Sequence, residues 1–442
     1  MIRLASKSAS FVIVTAVVAV WIICGFKKGS ITQYVFSNGR KNFQEPIHHF
    51  SSESRLSLDK PLESTVTKNL TSGSAFRDKH SWTTKGKMFE SDSESAYQTE
   101  SIYRDRLILV NRTCRNSAKV STHYTFFSSS KHGLSYCQSP KVGCTHWINI
   151  FRFLANATGD VLYKSPFDIP RMVTHYGSKR RMEYNITLDK TINSNFKFMF
   201  VREPYARLWS AFLDKFFLPD FWRSQGIIIQ TYLKKRRDSC AKGISFEEFL
   251  EYIVSKPPSQ LNAHWAPFRY ICDPCDFHPD FIGNMETFIQ DNKYILEKFG
   301  LAWIADDIVS RDHAMQEIRM LSEYNFNLLK VYKTECLNAT SLSKLLWKTF
   351  QINGYIGFNS ILEESKNSNW NCETFTNKVL QQHKADKLSS QKAKEQKLVY
   401  MTAAYRRVPN SVLIKLRKLY KDDFEMFGYD PEFIPLNSPS LL

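Results

Sequence analysis

The chain has 442 residues and a formal net charge of +17, from 60 Lys and Arg against 43 Asp and Glu. Its residues are 43% hydrophobic and include 33 Phe and 20 Tyr, so it is too apolar for a disordered, collagen-like or coiled-coil protein and can bury a sizeable core. The excess of positive charge indicates an acidic partner such as nucleic acid, an anionic membrane, a polyanionic glycan or a charged nucleotide, and says nothing about the fold.

An apolar run near the start of the chain indicates the compartment. Residues 8–26 are uncharged over 19 positions and have basic residues on both sides, which is about the length that crosses a bilayer. A cleaved secretory signal is the alternative, because the densest part, residues 11–24, has only 14 positions; no clear cleavage site follows it, however. We predict a cytoplasmic tail at residues 1–7, a single signal-anchor helix at 8–26, and a lumenal remainder.

The lumenal part divides by composition into a stem and a head. Residues 27–104 are rich in Ser, Thr, Lys and Glu without sustained periodicity, which predicts a disordered stem, or alternatively a regulatory tail. Residues 105–435 alternate short β-branched or aromatic runs with helical patterns, which predicts an α/β head with a parallel sheet covered by helices. Two stretches resemble insertions: residues 219–242, with a basic run at 234–237, and the polar tract 363–397.

Seven of the nine cysteines lie in the head, outside the anchor and outside the loop that contains Cys144. In an oxidising compartment most of them should form disulfides, with at least one thiol left over. Cys272 and Cys275, with His264 and His278 nearby, are alternatively a zinc site, but there is no second CxxC to complete it. We therefore predict disulfides and no metal site.

The first segment with candidate functional residues is a turn that leads into a helix. A short segment ends at Pro140, and residues 145–154 have apolar side chains at helical spacing. Backbone N–H groups at such a helix start are unpaired and lie at the positive end of the dipole, which suits a phosphate or sulfate, and Lys141 adds a charge. The amides concerned belong to Val142, Gly143, Cys144, Thr145 and His146. An ordinary capped helix is the alternative, and a Walker A loop is excluded because the lysine precedes the glycine.

The second segment is an alternating apolar strand that ends at Arg202 and continues into a helix. The carboxyl ends of parallel strands are the edge at which open sheets bind ligands, and a guanidinium there grips phosphate bidentately. Ser210 offers a further donor, and the spacing places Arg207, Ser210 and Asp214 on one helical face. Alternatively, Arg202 pairs with Glu203 or Asp214, and Ser210 only fills a small gap.

Together these segments resemble a known family. SPKVGCTHW is similar to the 5′-phosphosulfate loop, and RxPxxRxxSAxxDK to the 3′-phosphate segment, of Golgi carbohydrate sulfotransferases that use 3′-phosphoadenosine 5′-phosphosulfate. The branch resembled contains the chondroitin and dermatan 4-O-sulfotransferases, the N-acetylgalactosamine 4-sulfotransferases and the natural killer epitope sulfotransferase. Three further matches follow in order: His264–Trp265 with Cys272 and Cys275, then residues 276–287, then 419–429. The branch usually has Asn at the position of His146 and Glu at that of Ala263.

The resemblance implies a sulfotransferase fold, a P-loop-like parallel sheet flanked by helices, and roles for particular residues. Lys141 would contact the 5′-phosphate and the leaving oxygen, while Arg202 and Ser210 hold the 3′-phosphate with support from Arg207. Sulfuryl transfer also needs a general base for the acceptor proton, and a neutral imidazole suits mildly acidic lumenal pH. His175, between the two segments, is our candidate, with His264 as the second candidate or as an acceptor-orienting residue. A run of three basic residues is a candidate contact for a polyanionic glycan: Lys179, Arg180 and Arg181.

The predicted function is therefore sulfuryl transfer from 3′-phosphoadenosine 5′-phosphosulfate to a glycan hydroxyl by a single-pass type II Golgi membrane protein. The acceptor expected is the 4-position of N-acetylgalactosamine in chondroitin- or dermatan-type chains. Alternatives are glucuronyl 3-O-sulfation of glycoprotein glycans, and a lumenal glycan-binding protein without turnover. Nucleic acid is not an expected partner, because the anchor argues against it and no recognition motif is present.

Overall fold

The computed structural model describes residues 92–436, except 116, 121, 123, 160, 187, 189, 234–239, 333–335 and 364–369. The predicted cytoplasmic tail, the anchor at 8–26, the stem up to residue 91 and the basic run at 234–237 lie outside the described residues. Of the helices that are described, none combines the length and apolar character needed to cross a membrane. All described residues belong to one compact unit, Leu56–Leu442.

A five-stranded sheet forms the centre of this unit, in the order β3-β1-β2-β4-β5. The strands are β1 Phe126–Ser129, β2 Leu134–Cys137, β3 Glu183–Asn185, β4 Phe196–Val201 and β5 Phe281–Asn284. β4 is parallel to both β2 and β5, but β1 is antiparallel to β2 and to β3. The predicted parallel sheet is therefore wrong for one half. Residues 130–133 are a connection that is long enough only for a hairpin, whereas a parallel pair needs a long crossover.

Sixteen α-helices surround the sheet in the described part of the chain. They are α1 Asp92–Cys114, α2 Cys144–Leu154, α3 Arg171–Tyr176, α4 Lys190–Ser194, α5 Pro204–Phe212, α6 Ile227–Tyr232, α7 Phe246–Val254, α8 Pro274–Phe277, α9 Phe288–Lys298, α10 Ala302–Ser310, α11 His313–Leu328, α12 Ala339–Ile352, α13 Cys372–Asp386, α14 Ser390–Tyr405, α15 Asn410–Leu419 and α16 Lys421–Phe427. Two wider π-helical turns, Leu213–Phe217 and Trp222–Gly226, follow α5.

Helix α1 crosses the boundary predicted between the stem and the head. Tyr103, on the stem side of that boundary, is buried and packs on Phe281 of β5, with ring centroids 4.6 Å apart. Arg106 donates hydrogen bonds to the Ile282 carbonyl, at 2.9 Å, and to Asp291 Oδ2, at 2.8 Å. The boundary at residues 104/105 is therefore corrected: the apolar residues around 106–110 are part of a helix that begins at Asp92 and belongs to the head.

The polar tract 363–397 also forms part of the core. Its residues 372–386 form α13, in which Phe375 and Val379 are fully buried. The stretch 219–242 contributes Trp222, which belongs to the same hydrophobic cluster as Phe375 and Val379. The described helices of both stretches thus pack into a hydrophobic cluster.

Three disulfides join distant parts of the chain: Cys114–Cys275, Cys137–Cys272 and Cys240–Cys336. The prediction of disulfides is confirmed, and the alternative of a zinc site at Cys272 and Cys275 is wrong because both sulfurs are already bonded. Of the cysteines described, Cys144 and Cys372 are free. Through Cys137 and Cys272, the end of β2 is covalently attached to the segment that leads into β5.

Candidate active site

The predicted anion-binding loop lies between β2 and α2. Lys141 and Gly143 both have left-handed backbone conformations, with φ of 71° and 77°, and the Val142 side chain between them is fully buried. A Cβ atom added to Gly143 would lie 2.5 Å from the Phe288 ring, so the backbone there is in close contact with α9. Gly143 is the N-cap of α2 and offers no side chain, so the first amides of α2 lack a side-chain cap.

Lys141 belongs to a charged cluster that we define as Lys141, Arg171, Asp214, Lys215 and Asp220. Asp214 Oδ2 lies 2.9 Å from Lys141 Nζ, 3.2 Å from Arg171 Nη2 and 3.3 Å from Lys215 Nζ. Lys215 also bonds to Asp220, which lies 3.9 Å from Arg171. Burial opposes ionisation of Asp214, but Arg171, Lys141 and Lys215 hold its pKa well below the usual range. With three cations against two carboxylates, the cluster keeps one uncompensated positive charge.

His175 lies beside the same loop, on α3. Its Nε2 is 3.0 Å from Thr145 Oγ1 in the first turn of α2. Burial, together with the charges of Arg171 and Lys215, lowers the pKa of His175 to about 3. The imidazole is therefore neutral over the whole physiological range of pH.

The position of His175 is fixed by the buried guanidinium of Arg152 on α2. Arg152 donates to the carbonyls of Thr174, at 3.0 Å, and of Gly177 and Ser178, both at 2.8 Å. These acceptors lie on both sides of His175 in sequence. One arginine thus attaches the end of α3 to the helix that begins at the anion-binding loop.

His264 reaches the charged cluster from another direction. Its Nδ1 lies 2.7 Å from Asn262 Oδ1, which leaves Nε2 as the nitrogen not held by Asn262. Burial, together with the charges of Lys215 and Lys141, lowers the pKa of His264 well below its usual value. Two neutral imidazoles, His175 and His264, therefore lie close to the cluster around Lys141.

Arg202 lies where β4 ends, at the same edge of the sheet as the loop after β2. Its Nη1 donates to the Lys141 carbonyl at 3.3 Å. The alternative pairing of Arg202 with a neighbouring carboxylate is not found, because Asp214 is in the charged cluster and Glu203 caps α5 through the amides of Tyr205 and Ala206. Burial lowers the pKa of Arg202, while Glu286 and Glu203 act in the opposite direction.

Arg207 lies buried against the loop that contains Lys141. It is 1% exposed and donates to three carbonyls, those of Pro140 at 3.3 Å, Ala263 at 3.0 Å and Ala266 at 2.6 Å. These bonds engage its guanidinium, which suits a positioning role rather than direct contact with a nucleotide. It connects the loop that contains Lys141 to the segment that contains His264. Ser210, on the same helix, is half-buried.

The side chain of His146 is used for packing. Its ring stacks on Phe167, with centroids 4.8 Å apart, and meets Phe288 edge-on at 5.0 Å. Burial, with a smaller contribution from His313, lowers the pKa of His146 to about 3. Only the backbone of His146 remains suited to an anion. Cys144, before it, is a partly buried free thiol.

Four charged residues of the site were missed by sequence reasoning: Arg171, Lys215, Asp220 and Lys397. Arg171 had a usable signal, because it precedes His175 by four positions and so lies on the same face of α3. Lys397 had no such signal, since it lies on α14 in the polar tract. Burial and the charge of Arg202 lower the pKa of Lys397 to about 7. The basic run 179–181 lies at the edge strand β3, where Lys179 Nζ is 4.0 Å from the centre of the Tyr184 ring.

Comparison with known proteins identifies the family. Residues 124–304 match the model of the sulfotransferase family, and this range contains both strand-loop-helix units and His175 and His264. This segment of the chain is therefore similar to the sulfotransferase family.

Its curated relatives are carbohydrate sulfotransferases, which confirms the resemblance seen in the motifs and supports an enzyme of this kind. Carbohydrate sulfotransferase 14 of Danio rerio is 34% identical over 177 residues, 39% of this chain and 47% of that protein. Carbohydrate sulfotransferase 10 of Mus musculus is 32% identical over 243 residues, 49% of this chain and 65% of that protein. Carbohydrate sulfotransferase 11 of Mus musculus is 31% identical over 228 residues, 47% of this chain and 64% of that protein. The matches thus span about half to two thirds of these relatives. No solved structure matches significantly.

Proposed function

We propose that this protein transfers a sulfuryl group from 3′-phosphoadenosine 5′-phosphosulfate to a hydroxyl of a glycan. One observation supports this most strongly. Three segments that are distant in sequence meet at a single loop: Lys141 belongs to the loop itself, Arg202 donates to the Lys141 carbonyl, and His175 lies 3.0 Å from Thr145. These are the cation, the second phosphate contact and the base that the reaction requires.

The residues around the loop suit a donor that has phosphate at both ends of its nucleoside. Uncapped amides at the start of α2 and the Lys141 ammonium suit the 5′-phosphosulfate, since charge grows on the bridging oxygen as the sulfur–oxygen bond breaks. Arg202, with Ser210 on the following helix, suits the 3′-phosphate. The close contact of Gly143 with Phe288 holds the loop backbone in place for these contacts.

His175 is the base that we assign to the acceptor proton. A neutral imidazole is needed, and the lowered pKa of His175, about 3, keeps it unprotonated at lumenal pH. The acceptor hydroxyl would take the place of Thr145 Oγ1 as the hydrogen-bond partner of Nε2. His264 is the second candidate, because its Nδ1 is held by Asn262 and its other nitrogen remains to accept a proton.

For the acceptor we propose the 4-position of N-acetylgalactosamine in chondroitin- or dermatan-type chains. This assignment rests on the motif resemblance, and the basic surface of Lys179, Arg180 and Arg181 would suit such a polyanion. The same resemblance, with the apolar run 8–26, supports a single-pass type II protein of the Golgi membrane with a lumenal catalytic head.

The experiment is transfer of ³⁵S-sulfate from the labelled donor to desulfated chondroitin, desulfated dermatan or a glucuronyl-terminated glycan, followed by disaccharide analysis. Lys141→Ala and His175→Gln should lower the transfer rate at least about a hundredfold, and His175→Gln should leave nucleotide affinity near normal. His264→Gln is the matched variant that decides between the two candidate bases. If His175 is the base, His264→Gln should retain more transfer than His175→Gln. Nucleotide and glycan binding by the wild-type protein without any transfer would refute the proposal and favour a glycan-binding protein.

A further inference from the structure

The Lys141 ammonium has a carboxylate partner that the proposed reaction does not use. Asp214 accepts a hydrogen bond from Lys141 Nζ at 2.9 Å, although both side chains are largely buried, at 15% and 11% exposed. Asp214 lies on the π-helical turn after α5, so it approaches the loop from the helix that follows Arg202. A carboxylate so close to the anion-binding loop would repel a phosphosulfate, so its presence there needs a reason. The ion pair with Lys141 provides one.

The surroundings of Lys141 explain what this partner does. Burial lowers the pKa of Lys141, and Lys215 and Arg171 lower it further, while Asp214 is the group that raises it. Arg171 and Lys215 each contact Asp214 as well, but they also contact Asp220, whereas Asp214 is the carboxylate that contacts Lys141. Removal of that charge would leave the cations facing one another in a site with little water.

We propose that Asp214 is a positioning residue that keeps Lys141 in the loop as a protonated ammonium. On binding of the donor, this ammonium then pairs with the anionic group of the donor. This inference rests on the proposed function, because it gives Lys141 a phosphosulfate to bind. When the donor is bound, its own negative charge stabilises the ammonium, so Asp214 matters most to the free protein.

Other ionisable groups face Lys141 from each neighbouring element. They are Arg171 of α3, Lys215 of the π turn, His264 of the loop before β5 and Lys397 of α14. Arg202, after β4, contacts the Lys141 carbonyl, and His175 of α3 interacts with Arg171, Lys215 and Asp214 of the same cluster. The two histidines have lowered pKa values and stay neutral above about pH 7. Lys397, with a pKa of about 7, titrates in the wild type and in the variants alike, so the comparison between proteins cancels its effect.

The test measures binding rather than turnover. Calorimetry gives the affinity of 3′-phosphoadenosine 5′-phosphate for the wild type and for Asp214→Asn between about pH 7.5 and 9, well above the second pKa of the nucleotide phosphates, which is about 6. In Asp214→Asn we expect an added loss of affinity with rising pH, approaching about tenfold per pH unit, because the nucleotide must then bind together with a proton. The added loss should disappear in D214N/K141R, since a guanidinium stays charged.

Asp220→Asn is the matched control. Asp220 contacts Lys215 and Arg171 in the same cluster but has no described contact with Lys141, so its variant should keep the wild-type pH dependence. A parallel pH dependence in Asp214→Asn and the wild type overturns the inference. If Asp214→Asn does not fold, Asp214→Ser replaces it as a second neutral variant: an added loss of affinity with rising pH supports the inference and a wild-type pH dependence overturns it. If the wild type binds no such nucleotide at any pH, the proposed function itself fails.

Discussion

The close contact between Gly143 and Phe288 allows a quantitative test of the loop geometry. We expect Gly143→Ala to destabilise the protein and to impair transfer, because the new methyl group would lie 2.5 Å from one ring carbon and 2.7 Å from another. The chain provides a matched control in Gly133, in the turn between β1 and β2. Its φ is 66°, close to the 77° of Gly143, but nothing lies within 4 Å of the position of an added Cβ.

The two substitutions share one cost and differ in another. Alanine at a positive φ costs about 1 kcal/mol at either position. Overpacking against Phe288 adds about 1–3 kcal/mol at Gly143 alone. The free energy of unfolding should therefore fall by about 1 kcal/mol in Gly133→Ala and by about 2–4 kcal/mol in Gly143→Ala. Because displacement of a catalytic loop by about 1 Å is costly, transfer should fall at least about tenfold in Gly143→Ala and by less than about twofold in Gly133→Ala.

Denaturant unfolding of the isolated head and the ³⁵S transfer assay measure the two effects. A third protein with Gly143→Ala and Phe288→Leu should recover part of the lost stability relative to the sum of the single changes, which a double-mutant cycle detects. Equal losses of stability in Gly143→Ala and Gly133→Ala, with no coupling to Phe288, would show that α9 does not confine the loop.

Three further predictions concern other parts of the molecule. Arg207→Lys should lower the free energy of unfolding by about 2–4 kcal/mol in denaturant, because an ammonium cannot serve three separate carbonyls; a loss of nucleotide affinity without loss of stability would restore Arg207 as a ligand contact. Because the folded-state pKa of His146, about 3, lies below the usual 6.5, the unfolded chain takes up the proton first, and stability falls as the pH drops from 6.5 towards 3. His146→Asn should remove up to about 1.4 kcal/mol per pH unit from that fall, and an unchanged acid dependence would contradict it. Replacement of Cys114 and Cys275 by Ser should cost up to about 5 kcal/mol, because their disulfide closes a loop of 161 residues; an unchanged midpoint of unfolding would mean that α1 is held by its packing alone.

The sequence was most informative where the pattern is local. The strand, turn and helix around Lys141, and the strand that ends at Arg202, are short-range signals, and the structure contains both. The family resemblance followed from the residues of these same units. The partners of Arg207 could not be predicted, because helical spacing gives the direction of a side chain but not the residues it contacts, and its three carbonyl partners come from distant segments.

Residues whose role depends on tertiary packing could not be found in this way. Lys397 comes to the site on a helix of a tract that reads as a polar insertion, and only the packing of α14 makes its charge relevant to Arg202. The antiparallel half of the sheet was missed because a parallel sheet and a mixed sheet have the same alternation of strands and helices. The start of the head was misplaced because α1 has a weak apolar face and is held by a disulfide and by contacts to β5.

The wide turn Leu213–Phe217 changes the phase of the helix that follows Arg202. A π turn accommodates one more residue than an α turn, so every side chain beyond it is rotated relative to a regular helix by about 100°. Asp214 and Lys215 are at this discontinuity, and their orientation towards the loop depends on that extra residue. A one-residue deletion here would leave the composition of the motif almost intact while it turned both charges away, so the length of this segment is as much a part of the site as its residues.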